Sequence, residues 1–217
     1  MQTAPSVVRS ISSLKRLSIA SSGSTNICLA LKRATAEQRL QLEQQLHLAH
    51  RITTLGDYRE LLGKYYGVYA PLEPVLWRAL VSLKEDLQLS RRRQAARLSS
   101  DMVACGFFDA DIVALPRWQA IAPFPTIAQA LGRLYVLESA PLGGQMMARQ
   151  FRKRFSLKKD AGVSFLNGCG CDTTERWREL RNVLAARLTA ASQRDHAVAA
   201  AIDMYDILQR WIAAQQE

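Results

Sequence analysis

Three short stretches hold the residues best suited to chemistry. In ATAEQRLQLEQQ (34–45), Arg39 and Glu43 stand four residues apart on an amphipathic helical pattern, within reach of an ion pair. Lys32 lies seven residues before Arg39, two turns earlier on nearly the same face. The second stretch, LYVLESAPLGGQMMARQ, interrupts a helical pattern with Pro141 and the pair Gly143 and Gly144. Each glycine disfavours a helix interior by about 1 kcal/mol and proline by more, so a kink is expected. Without side chains, a kinked glycine pair lets backbone approach a flat ligand and leaves its polar groups free to bond it. Tight helix-helix packing is the equal alternative. The third stretch, TTERWRELR, carries Arg178 and Arg181 one turn apart.

These stretches must be positioned by helices. Leu31, Leu42 and Leu46 share a stripe that predicts a first helix from a Ser24 or Thr25 cap to about residue 49. LGDYRELLGKYYGVYA predicts a second helix stopped near Pro71, and PLEPVLWRALVSL a third, because proline suits a first turn and breaks an interior. RRRQAARLSSDMVACG reads as a helix ending at Gly106. A loop with Pro116, Pro123 and Pro125 precedes a helix through IAQALGRLYVLESA, which resumes as QMMARQFRKRF. CDTTERWRELRNVLAARL and AVAAAIDMYDILQRWIAAQQ close the chain. Alternating β-branched runs are almost absent, so the expected fold is all-α, a single-domain bundle of seven to nine helices.

With 217 residues and 48% apolar content the chain can bury one substantial core. Residues 1–24 are Ser-rich with scattered Lys and Arg, which predicts a flexible basic tail ahead of a helical domain over 25–217. No apolar run approaches the roughly 18–20 residues needed to span a bilayer, and a cytoplasmic location is expected. The four cysteines, Cys28, Cys105, Cys169 and Cys171, lack a second pair at zinc spacing and read as reduced thiols. The charge of +10 gathers at 91–93 and in Arg149, Arg152, Lys153, Arg154, Lys158 and Lys159, clusters that read as solvated faces. No nucleic-acid-binding motif accompanies them.

YVLESAPLGGQ resembles the distal helix of heme oxygenases, particularly the bacterial ones associated with bacteriophytochromes. LKRATAEQRLQLE is similar to that family's opening helix, DYRELLGKYYGVYAPLE to its second helix and turn, and FLNGCGCDTTERWREL to the approach to its penultimate helix. The resemblance runs over about residues 26–215 in order and spacing. It implies heme held between a proximal helix and a kinked distal helix. It also implies ring opening to biliverdin, iron and carbon monoxide with O2 and an electron donor. Under it, Gly143, Gly144 and Ser139 fall at the oxygen-binding kink, Ser139 replacing the family's first glycine. Lys32 and Arg178 fall where cations meet heme propionates, with Arg181 one turn on.

One departure is chemically severe. The spacing from Ala34 to Glu43 puts Arg39 where the family has its iron-ligating histidine. A guanidinium stays protonated and has no lone pair to offer. His47 and His50 lie about 12 and 16 Å further along the same helical axis, too far to substitute, and His196 belongs to the last helical region. Arg39 either pairs with Glu43 at the helix surface or projects a cation into the pocket toward a carboxylate. Two functions therefore stand side by side: heme binding with ring opening in question, and a catalytically silent tetrapyrrole carrier or partner-binding module.

Overall fold

The structure, a computed structural model, describes residues 26–46, 51–139, 144–158, 161–168 and 173–214. The expected tail, the kink at 140–143, His47, His50, Cys169 and Cys171 all lie outside them. Among the described residues there are nine α-helices and no strands, and an all-α fold is what the sequence pattern predicts.

Asn26, not Ser24 or Thr25, is the first N-cap, its side-chain oxygen accepting from the Cys28 amide at 3.1 Å. The first helix is divided. α1 (Ile27–Ala34) ends at Thr35, whose hydroxyl donates to the Leu31 carbonyl at 2.8 Å, and α2 (Ala36–Leu46) follows directly. Competition of a threonine hydroxyl for the preceding carbonyl bends helices in this way.

The second and third predicted helices are one, α3 (Leu55–Ala79), which contains Pro71 and Pro74. Pro71 has no N–H for the Gly67 carbonyl four residues back, and the Trp118 amide donates to that carbonyl instead, at 2.9 Å. The Pro116-containing loop thus repairs the break that proline makes, which sequence periodicity could not foresee. α3 begins at a capping box between Thr54 and Asp57. Its tyrosines then tie the molecule together. Tyr58 donates to the Gly162 carbonyl at 2.7 Å, Tyr69 to the Leu137 carbonyl at 3.3 Å, and Tyr65 and Tyr69 pack on Phe165 at 5.0 and 5.3 Å.

After two short 3-10 turns come α4 (Gln94–Ala104), which ends as expected before Gly106, and a short α5 (Asp109–Ala114) that the sequence pattern did not suggest. α6 (Ile127–Ser139) and α7 (Gly144–Arg154) stand on either side of residues 140–143, where the sequence pattern predicts a kink. α8 (Thr173–Arg187) and α9 (Ala191–Ala214) close the bundle, α9 opening at Ala191, ahead of the apolar pattern that begins at Ala197. α9 is the central strut: it packs along α6 most extensively, and also on α1, α2 and α3. At its crossing with α6 the Ala197 carbonyl presses onto Gly132, where a Cβ has no room. Gly132→Ala should therefore separate the two helices and cost about 2 kcal/mol despite alanine's better helix propensity, read as a lower midpoint in urea unfolding.

Candidate functional site

The last turn of α6 holds the most constrained group of polar side chains. Glu138, only 8% exposed, receives Arg176 of α8 on one carboxylate oxygen at 2.8 Å and pairs with Arg92 on the other at 3.0 Å. Arg92 is 1% exposed and is spent entirely inside the protein. It donates to the Leu87 carbonyl at 2.5 Å, to the Arg176 carbonyl at 2.9 Å and to Glu179 at 3.0 Å, while Gln88 holds the other Glu179 oxygen at 2.7 Å. The basic run 91–93 is thus not a uniform solvated face. Arg91 and Arg93 are exposed, and Arg92 between them is core. Nothing in three consecutive arginines distinguishes the middle one. Glu138 did carry a signal, as a lone carboxylate inside the apolar run LYVLES.

Next to Glu138, the Ser139 hydroxyl donates to the Val136 carbonyl at 2.8 Å and lies 3.1 Å from the Tyr205 hydroxyl of α9. Tyr205 and Tyr135 are both buried, and Tyr135 packs on Trp177 of α8 with ring centroids 5.5 Å apart. These residues face the N-terminal helices. Burial pushes the Tyr135 phenol up to about 12, with Tyr205 and Cys28 adding to the effect and the Arg39 guanidinium opposing it. Burial likewise raises Tyr205, against the Ser139 hydrogen bond and the Arg39 charge, with Glu43 adding. Burial also raises the Cys28 thiol, partly offset by Arg181. Arg39 on α2 therefore projects its field onto α6 and α9, the helices a ligand between the proximal and distal elements would touch.

The sequence candidates divide accordingly. Arg39 is 43% exposed and stands 3.9 Å from Glu43, so the expected i, i+4 pair forms while the guanidinium still faces the two tyrosines. Arg178 and Arg181 line one cavity with Asn26, Ile27 and Cys28 of α1, bringing the α8 cations to the start of the proximal helix. Arg178 is largely exposed and pairs with Glu175 at 3.5 Å. Lys32 is exposed on α1 and does not line that cavity. Gly144 opens α7 with the Leu166 carbonyl packed where its Cβ would stand. That gives tight packing a concrete partner at this glycine. Leu166 sits in the segment 161–168, which the buried Asp101 carboxylate anchors by accepting from the Ser164 and Phe165 amides at 2.9 and 2.7 Å. Gly143 lies outside the described residues. His196 is exposed near the start of α9, three turns from Tyr205. Cys28 and Cys105 are free thiols.

Fold and site together define an all-helical bundle whose N-terminal helix pair and α6 converge on α9. A family model described as heme oxygenase matches residues 25–214. A heme oxygenase of Xanthomonas campestris pv. campestris is 30% identical over 160 residues, which cover 73% of this chain and 90% of that protein. Among solved structures, heme oxygenase from Leptospira interrogans superposes with TM-score 0.69 at 15% identity, over 88% of this chain and 100% of that one. Heme oxygenase 2 from Chlamydomonas reinhardtii, without heme, gives 0.68 at 18% identity over 88% and 97%. Heme oxygenase-1 from the cyanobacterium Synechocystis, in complex with heme, gives 0.67 at 13% identity over 88% and 92%. The chain belongs to the heme oxygenase family.

Close to Glu138 lies a second buried carboxylate, Glu73 of α3, which accepts from the Gln94 and Ala95 amides at 2.7 and 3.0 Å and so caps α4. Burial raises it from 4.5 to about 7, against those two amides and with the charge of Glu138 adding. Between these two values the native state keeps a proton that the unfolded chain has released. Stability should therefore fall as pH rises from 4.5 to about 7 and level off above. The full effect is on the order of 3 kcal/mol. Urea unfolding across this range should show the slope in the wild type and lose it in Glu73→Gln.

Proposed function

We propose that the chain binds a heme-type tetrapyrrole between α2 and the α6/α7 helix, and that its own side chains do not supply the axial iron ligand on which the family's ring opening depends. One feature supports this reading: under the resemblance, the spacing from Ala34 to Glu43 puts Arg39 where the family has its iron-ligating histidine. The other donors near it fit iron poorly. Tyr135 and Tyr205, both buried, and the half-buried Cys28 have their pKa values raised, and a neutral phenol or thiol is a weak ligand compared with imidazole. Among the described residues no cluster of His, Cys, Asp and Glu could hold a metal ion.

The residues suit the rest of the molecule better. A tetrapyrrole is a flat apolar body with anionic carboxylates. Arg39, Arg178 and Arg181 offer guanidinium forks to carboxylates, and Tyr135, Trp177 and Tyr205 offer aromatic surface. Ser139 and Tyr205 set a pair of hydroxyls at the end of α6, able to orient a polar atom or water above the ring. Heme is the expected ligand, as substrate where another group or a water completes the iron's coordination, and otherwise as cargo. Ring opening would also need O2 and an electron-donor protein. No described helix is long and apolar enough to cross a membrane.

Titration of the purified protein with hemin, followed at the Soret band, tests this directly. The wild type should bind hemin, or its open-chain product biliverdin, without a histidine-ligated spectrum, and should form no biliverdin when reductant and O2 are added. Arg39→His should shift the Soret band and switch on biliverdin formation. Wild-type turnover matching that of the histidine variant would contradict the role assigned to Arg39. Absence of binding by both hemin and biliverdin would contradict the tetrapyrrole site itself.

A further inference from the structure

We propose a second ligand site, outside the α2/α6/α9 cleft, at the start of α4: an arginine-lined cavity that binds a small phosphate-type oxyanion. The cavity has a volume of about 330 Å³ and is lined by Ser90, Arg91, Arg93, Arg97 and Arg176, together with Glu175 and Glu179. Four cations thus meet two carboxylates; Arg176 is paired with Glu138 and Arg97 donates to the Gly168 carbonyl, while both carboxylates have other partners. Glu179 is held by Arg92 and Gln88, and Glu175 faces Arg178. The cavity is left with a surplus of positive charge.

The independent observation is Arg176. This side chain is 4% exposed, and while one terminal nitrogen donates to Glu138, its Nε and Nη1 are buried without any hydrogen-bond partner. Buried guanidinium donors without acceptors are costly and rare, and they mark a place where an acceptor is expected. Arg92 and Arg97 add their charges nearby, and burial with these neighbours holds the Arg176 guanidinium below its ordinary value. The first two amides of α4 are already capped by Glu73, so guanidinium groups, not a helix terminus, would hold the ligand.

Chemistry narrows the class. Arginines approaching one small space from a 3-10 turn, the start of α4 and α8 suit a tetrahedral dianion, which presents oxygens in several directions. A monocarboxylate presents two oxygens in one plane. The volume lies at the lower end of ligand pockets, which run from about 300 to 1,000 Å³, and suits inorganic phosphate or a small phosphomonoester.

The test is calorimetric titration of the full chain, free of tetrapyrrole and at constant ionic strength, with inorganic phosphate, glycerol phosphate or acetate in chloride buffer. Saturable binding of phosphate or of the monoester, with none of acetate, is expected, and the tighter of the two identifies the source. Arg93→Gln, a change at an exposed side chain outside the Glu138 network, should weaken that Kd by roughly tenfold while leaving the melting temperature in chloride unchanged. Arg176→Lys, which keeps the charge facing Glu138 but removes the two orphaned donors, should weaken it as well. An unchanged Kd in Arg93→Gln, equal binding of acetate, or no saturable heat from phosphate or glycerol phosphate would each overturn the proposal, whether or not the protein binds a tetrapyrrole.

Discussion

The rest of the site depends on one carboxylate held by two guanidinium groups in a nearly dry interior. Glu138 is the penultimate residue of α6, and its two oxygens are divided between Arg176 of α8 and Arg92 of the turn before α4. Desolvating such charges costs several kcal/mol per ion, and a buried ion pair is seldom a net gain over well-packed apolar residues. What it confers is position. Arg92 also bonds the carbonyls of Leu87 and Arg176, so three chain segments meet at one guanidinium, and α6 can end in only one place.

That fixed end positions the residues next to it. Ser139 follows Glu138 directly and reaches Tyr205, so α6 is tied to α9 at the point where the chain leaves the helix. After residues 140–143, Gly144 rests against the Leu166 carbonyl, in a segment pinned by Asp101 and Tyr58. The residues on both sides of the undescribed stretch are therefore anchored, by Tyr205 at Ser139 and by the Leu166 carbonyl at Gly144. The proximal helices are held differently, through Gln209 of α9, which donates to the Gln38 carbonyl at 2.7 Å and accepts from Gln45 at 3.1 Å. Across this frame Arg39 keeps a surface partner in Glu43 and still directs its charge at two buried phenols.

Much of this was legible in the sequence, for physical reasons that differ by element. Amphipathic spacing and the near absence of β-branched alternation suffice for an all-α bundle. Gly143 and Gly144, Arg39, and the spacing of Arg178 and Arg181 are local features that short stretches offer as candidates. What escaped was tertiary. Pro71 reads as a helix stop until the Trp118 amide is known to satisfy the Gly67 carbonyl. Arg92 reads as surface charge until Glu138 and Glu179 are found beside it. Arg176 and Glu179 hide among the other charges of TTERWRELR, and only the fold shows which of them face inward. Tyr205, in a helix read only as a closing element, reveals its part through its neighbour Ser139.

A double-mutant cycle on Glu138→Gln and Arg176→Gln, read as unfolding free energy in urea, measures the central interaction most directly. Glu138→Gln should cost about 3–5 kcal/mol, because it strips the buried Arg176 of its carboxylate, and Arg176→Gln somewhat less, because Arg92 still pairs with Glu138. The double mutant should cost less than the sum of the two, with a coupling energy of about 2–3 kcal/mol. Coupling within about 0.5 kcal/mol of zero, as for independent sites, would contradict the view that this carboxylate holds the end of α6 through its arginines.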